Sequence, residues 1–269
     1  MSTHTDLPLT PSEIADGVFH IPATETNSIL VTEGKAVTVV DAGYPKDLAR
    51  LEASLARIGR RVSDVSAVVV THAHMDHIGD SARWRREHGT RVLVWEPEVP
   101  LARGDIRQMI SRPRVLSHIF EPGTARALVR ILGGLRLHHI VFWEGEPVPD
   151  PEPFDGTVPL DVPGGLVPIP TPGHTSGHCS YHLPGRGVLI SGDALVTEDF
   201  PRRTHPPEPQ LMHPDFAYDY AQALESVQRL RDIAADVIIP GHGMPYHGSP
   251  ASAVTHALER AQAQQARRR

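Results

Sequence analysis

Four side chains able to bind a metal stand within six residues: His72, His74, Asp76 and His77, in T-H-A-H-M-D-H. They follow directly on a valine-rich run, Val65 to Val70. Neutral imidazole and carboxylate are the usual protein ligands of zinc and similar divalent ions. In extended backbone His72 and His74, two residues apart, face the same way. Asp76 and His77 come after the chain has begun to turn and can address a second centre. One catalytic metal takes about three protein ligands plus a water, so four candidates in one short stretch point to two metal ions with further ligands elsewhere. The chain carries 17 histidines, and a histidine-rich surface loop is the rival reading. H-x-H-x-D-H at the end of an apolar strand is more specific than that.

Further candidates lie downstream. His174 sits in V-P-I-P-T-P-G-H-T-S-G-H, Asp193 ends G-V-L-I-S-G-D, and His242 ends D-V-I-I-P-G-H-G. Each adjoins glycine, whose missing side chain lets backbone approach an ion closely. Each also falls where an apolar strand ends or a loop opens, the usual place for sites in layered α/β proteins.

The elements that must position these residues are legible in outline. V-F-H-I, N-S-I-L-V-T and A-V-T-V-V-D-A-G read as three short strands, the third ending at Asp41. Leu48, Leu51, Leu55 and Ile58 recur at helical spacing, with Gly59 as the stop. The valine run predicts a buried strand, the polar stretch Asp80 to His88 a helix, and Arg91 to Trp95 another strand. Residues 97–157 break the rhythm and read as a lid-like insertion. It has helices over Ile106–Ile119 and Thr124–Leu135, the run H-H-I-V-F-W, and an acidic, proline-rich turn from Glu144 to Asp155. Met109, Ile110, Phe120, Phe142 and Trp143 either wall a pocket or pack the insertion onto the body. His178 and His182 alternate along a strand and read as core or pocket. Asp215 is expected to cap a helix reaching Asp232, and a last helix runs from Ala251 to the end. The expected organisation is a flexible start, residues 1–16, and a single domain, 17–269.

With 269 residues the chain can build one large two-layer or four-layer domain. A net charge of -6 argues against an extended nucleic-acid surface. A single cysteine, Cys179, allows no internal disulfide. No signal-peptide core and no apolar run near the roughly 18 residues of a membrane helix is seen. The expectation is a cytoplasmic protein without nucleic-acid or membrane partners.

Taken together, T-H-A-H-M-D-H, T-P-G-H-T-S-G-H, S-G-D-A-L and P-G-H-G, in this order from Gly17 to His242, resemble the metallo-β-lactamase superfamily, as does V-V-D-A-G-Y around Asp41. The resemblance implies an α/β fold, a four-layer αββα sandwich with a two-metal site between the sheets. It implies that His72, His74 and His174 hold one metal, that Asp76, His77 and His242 hold the other, and that Asp193 bridges both. Asp41 would orient a ligand histidine. Two divalent ions, zinc by default and iron or manganese as alternatives, would share a hydroxide that attacks the substrate. Asp76 would be either a pure ligand or also the acceptor of the released proton.

Departures from the family's branches narrow the expectation. Asp193 stands where several true β-lactamases use cysteine. Gly243-Met244-Pro245 replaces the glyoxalase II-like Glu-Tyr-Thr after the last histidine. Val196 stands where acyl-homoserine lactonase-like enzymes place a tyrosine. There is no G-x-S-x-G elbow, and Cys179 reads as a small buried residue. The expected activity is hydrolysis of a small ester, lactone or thioester, in a chain that can form a homodimer. The alternatives are a phosphodiesterase or RNA-processing nuclease, an iron-dependent sulfur dioxygenase, and a non-catalytic metal-binding protein.

Overall fold

Val37, Val39, Val68, Val92 and Val94 bury one face of a sheet under helices, while Val40, Ala67, Val69 and Leu93 bury its other face against a second sheet. This period-two division of almost wholly apolar strands is what buries a sheet on both sides. It is seen in a computed structural model that describes residues 10–108, 129, 132, 146–198 and 207–268, with 267 and 268 described by backbone alone.

The first sheet has seven strands in chain order: β1 (Ser12–Ala15), β2 (Val18–Pro22), β3 (Asn27–Glu33), β4 (Ala36–Val40), β5 (Val65–Val69), β6 (Arg91–Trp95) and β7 (Glu152–Phe154). β1 to β4 form an antiparallel meander, and β4 to β7 run parallel. The second sheet comprises β8 (Val167–Pro170), β9 (Cys179–Leu183), β10 (Val188–Gly192), β11 (Val237–Pro240) and β12 (Tyr246–His247), ordered β12-β11-β10-β9-β8. Only β10 and β11 pair in parallel there.

Helices α1 (Leu48–Arg57), α2 (Met75–Ile78), α3 (Ser81–His88) and α4 (Val99–Ala102) contribute to the outer face of the first sheet through Leu48, Leu51, Leu55, Ile78, Trp84 and Ala102. Fully burying a side chain such as Leu55 contributes about 1.5–3 kcal/mol. On the other side, Leu189 and Ile238 meet Val254, Ala257 and Ala261 of a long helix (Pro250–Arg268), with Ala223 and Leu224 of a shorter one (Tyr220–Ser226) packed beside them. The order of layers is helix, sheet, sheet, helix, as the resemblance implies. Among the described residues, no helix is long and apolar enough to cross a membrane.

Four local expectations change. The expected flexible start through residue 16 gives way at Ser12, because β1 adds backbone hydrogen bonds to β2. The expected turn Glu144–Asp155 contains β7, an edge strand, where Pro153 is tolerated because one side of the strand needs no ladder bond. The helix expected from Asp215 starts at Tyr220. Asp219 is its cap, accepting from the Gln222 N–H at 3.0 Å, and Asp215 lies in a separate 3₁₀ turn, Pro214–Phe216. Asp76 and His77 lie on the single turn α2 rather than in open loop. Most of the two insertion helices, the run H-H-I-V-F-W, and Met109, Ile110, Phe120, Phe142 and Trp143 fall outside the described residues.

Candidate metal centre

The site forms where strands of both sheets end. Asp41 follows directly on β4, and its N–H donates to the Val69 carbonyl at 3.1 Å. Asp41 has φ +58°, a left-handed conformation that costs a non-glycine residue of order 1–3 kcal/mol. In that conformation its carboxylate spans the end of β5, accepting from the Thr71 N–H at 2.7 Å and the Thr71 hydroxyl at 2.8 Å. The same carboxylate accepts from His77 Nδ1 at 2.8 Å. That bond places the proton on Nδ1 and leaves Nε2 facing the site, the orienting role expected of Asp41.

Three further imidazoles are tethered alike. His74 Nε2 donates to the Gln108 carbonyl at 2.9 Å, and His242 Nδ1 to the Glu25 carbonyl at 2.6 Å. Thr71 Oγ1 has spent its proton on Asp41, so His72 Nδ1, 3.1 Å away, is the donor to it. In each case the outer nitrogen is satisfied and the inner nitrogen keeps its lone pair.

The inner nitrogens converge. His72 Nε2, His74 Nδ1 and His174 Nε2 stand 3.1, 3.0 and 3.2 Å apart. Mutual hydrogen bonds cannot explain that triangle. Each ring nitrogen carries one proton or one lone pair along one in-plane axis, and cannot serve two neighbours at once. A tetrahedral ion with Zn–N near 2.05 Å would separate its nitrogens by about 3.3 Å, which fits the trio. Asp76, His77 and His242 form a second group, and His72, His77 and Asp193 a third, each with ligand atoms within 4.8 Å of one another. His242 Nε2 is 3.6 Å from Asp76 Oδ2, and His77 Nε2 is 3.8 Å from it. Asp193 lies between the trios: Oδ2 is 3.4 Å from His174 Nε2 and 3.2 Å from His242 Nε2, and Oδ1 is 3.5 Å from His77 Nε2. His77 Nε2 and Asp193 Oδ1 are buried with no hydrogen-bond partner. A buried polar atom without a partner is costly, and a cation is the partner this donor set fits. All seven residues expected as ligands are therefore brought together.

The charges agree with that reading. Burial lowers His72 and His174 well below the ordinary imidazole value, and neighbouring imidazoles add to it. Burial also lowers His74. Burial would lower His77 and His242 as well, but the facing carboxylates, Asp193 foremost, outweigh it and raise them to about 9 and about 10. Burial pushes the Asp193 carboxyl up, yet His242 and His77 hold it well below the usual carboxylate range. Without a cation, protons on His77 and His242 balance the carboxylates.

Supporting residues escaped the sequence reading. His178, core or pocket by its spacing, is fully buried, and its Nε2 accepts from the Asp193 N–H at 2.9 Å. Burial lowers it to about 3, which keeps that acceptor available. Its Nδ1 then donates to Thr171 Oγ1, 2.9 Å away. Asn27 Nδ2 donates to the Pro240 and Gly243 carbonyls, 2.8 Å each, bracketing His242. Glu98 is buried behind the first trio. The second histidine of H-T-S-G-H is a signal for His178; Asn27 and Glu98 carry none, since the bonds that tie them to the ligand loops reach residues 25 to 216 positions away along the chain. Cys179 is buried and burial pushes its thiol up, in keeping with a packing role. His182, by contrast, turns away to the Ala234 carbonyl at 3.0 Å.

Comparison with known proteins adds an independent line. The sequence profile described as the metallo-beta-lactamase superfamily matches residues 21–242. The "Probable metallo-hydrolase YflN" of Bacillus subtilis is 28% identical over 244 residues, 88% of this chain and 87% of that protein. The crystal structure of a metallo-beta-lactamase family protein from Thermus thermophilus superposes with a TM-score of 0.63 at 26% identity, covering 92% of this chain and 80% of that one. A mutant metallo-beta-lactamase from Cronobacter sakazakii gives a TM-score of 0.67 at 18% identity over 97% and 98% of the two chains, a likeness of fold alone.

Proposed function

The chain belongs to the metallo-beta-lactamase superfamily, and from that premise we propose that it is a metal-dependent hydrolase of a small ester, lactone or thioester. The observation that carries the proposal is the position of Asp193 between two three-residue groups, within 3.2–3.5 Å of His174, His242 and His77. His72, His74 and His174 would hold one divalent ion, and Asp76, His77 and His242 a second, with Asp193 shared. Zinc is the first choice for five imidazoles and two carboxylates, with iron or manganese as alternatives. When bound, such a pair supplies Lewis acidity and brings the acidity of water near neutrality.

The chain's own residues do the rest. Asp41, Thr71, Gln108 and Glu25 hold four imidazoles in the tautomer that turns a lone pair inward. Asp76 is the carboxylate of the site that keeps some exposure, 19% against 2% for Asp193. It can therefore take up the proton released when water adds to the substrate carbonyl and pass it to the leaving group. A net charge of -6 favours a small molecule over a nucleic acid as substrate.

The test is metal analysis of the purified protein with a screen of aryl esters, lactones, thioesters, phosphodiesters and a β-lactam. Two equivalents of divalent metal and turnover of an ester, lactone or thioester are expected. Turnover of phosphodiesters alone would replace this reading with a phosphodiesterase. A single iron with thiol oxidation would replace it with a dioxygenase.

A further inference from the structure

The geometry points to Glu98 as a positioning residue that assembles the first histidine trio before any ion arrives; this rests on the metal-centre reading above. The trio has an assembly problem. His72 and His74 follow β5 of the first sheet, while His174 lies in the loop between β8 and β9 of the second. Their inner nitrogens stand 3.0–3.2 Å apart in a buried place, and those of His72 and His74, whose outer nitrogens donate to Thr71 and Gln108, point lone pairs at each other. Without an ion that arrangement is repulsive, and free loops would relax apart.

Glu98 ends the 3₁₀ turn Glu96–Glu98 just after β6, the parallel neighbour of β5, and is 1% exposed. Its Oε1 accepts from the Ala73 N–H at 2.7 Å. Its Oε2 accepts from the Thr175 hydroxyl and from the Gly177 N–H, each at 2.9 Å. Ala73 lies between His72 and His74, and Thr175 follows His174. One carboxylate thus grips both ligand loops at the bonds adjoining all three ligands. Gly177 completes the seat: a Cβ there would lie 2.6 Å from Glu98 Cα and from Glu98 Cβ, so only glycine lets the loop close onto this side chain. Glu98 touches no ligand atom. It acts through backbone, moving the cost of ordering the trio from metal binding to folding.

The experiment compares metal-free wild type and E98Q. The glutamine side chain offers one acceptor oxygen where three donors arrive, so its amide must face either the Ala73 or the Gly177 N–H. Zinc affinity, measured by chelator competition, is expected to fall about 10–100-fold. Amide exchange at Ala73 and Gly177 in the metal-free protein is expected to speed up. A merely structural Glu98 would lower the melting temperature and leave zinc affinity in the folded protein unchanged; that result overturns the inference. Should E98Q fail to fold, Thr175→Val and Thr175→Ser take its place. The valine variant is expected to lose zinc affinity several-fold and the serine variant to retain it, whereas equal affinities overturn the assignment. Wild-type protein that binds no divalent ion would sink the metal reading itself. Amide exchange at Ala73 and Gly177 then still decides the role of Glu98.

Discussion

At the scale of single residues, Asp193 bears the most. It faces His77, His174 and His242 with one carboxylate, so Asp193→Ala removes a partner from both trios at once. We expect metal content and turnover to collapse together, by elemental analysis and by activity on whichever substrate the wild type accepts; unchanged turnover removes Asp193 from its shared position. His178 is a subtler case. Its ring accepts from the Asp193 N–H and touches no other member of the site through a hydrogen bond. His178→Ala leaves that buried N–H without a partner, a cost of about 1–3 kcal/mol. The melting temperature should drop in the metal-free protein, and unchanged melting would show that water or a shifted loop restores the bond. His178 could not be ranked by spacing alone, because His178 and His174 look alike in the motif and differ only in what their rings meet.

Elements place these residues. The turn between β2 and β3 belongs to the first half of the chain, yet it holds the last ligand. Glu25, with φ +61°, turns its carbonyl to His242 Nδ1, and Asn27 brackets the same loop. Asn27→Ala strands two buried carbonyls and the His20 ring, which lies 2.7 Å from Asn27 Oδ1. A loss of about 2–4 kcal/mol follows from the usual cost of unsatisfied buried groups. Metal titration should show weakening at the Asp76, His77 and His242 group and little change at the first trio. Weakening of both groups alike would show that the turn supports the fold rather than one ligand. Strand periodicity announced β2, β3 and β11 correctly. It was silent about this brace, since hydrogen bonds between residues more than 210 apart leave no local pattern.

At the scale of the whole molecule, buried imidazoles make the stability of the metal-free protein depend on pH from two sides. His72, His74, His174 and His178 are lowered from an ordinary value of 6.5. Below about pH 6.5 the unfolded chain binds more protons at these sites than the folded one, so stability falls as pH falls. His77 and His242 are raised to about 9 and about 10. Their contribution is complete below about pH 6.5 and is lost as pH rises through those values. Metal-free protein should therefore melt highest near pH 6.5 and less stably on both sides. Bound cations replace the protons on His77 and His242, so the metal-loaded protein should keep its melting temperature on the alkaline side. Parallel melting curves for the two forms across pH 6.5–10 would refute this account of the site's charge.

The amino-acid sequence alone determined which side chains can meet a cation, which strands are buried on both faces, and that glycine stands beside His174, Asp193 and His242. Those properties are local: residue type, period-two alternation and the absence of a Cβ all act within a few positions. The motifs' family resemblance already implied the shared place of Asp193 and the orienting role of Asp41; only the tertiary structure decided that Glu25 and Gln108 select tautomers as well, and that Glu98 joins ligand loops from two sheets. The reason is directional. A hydrogen bond or a ligand contact depends on where a strand end points in three dimensions, and that is settled when two sheets pack face to face around a common core.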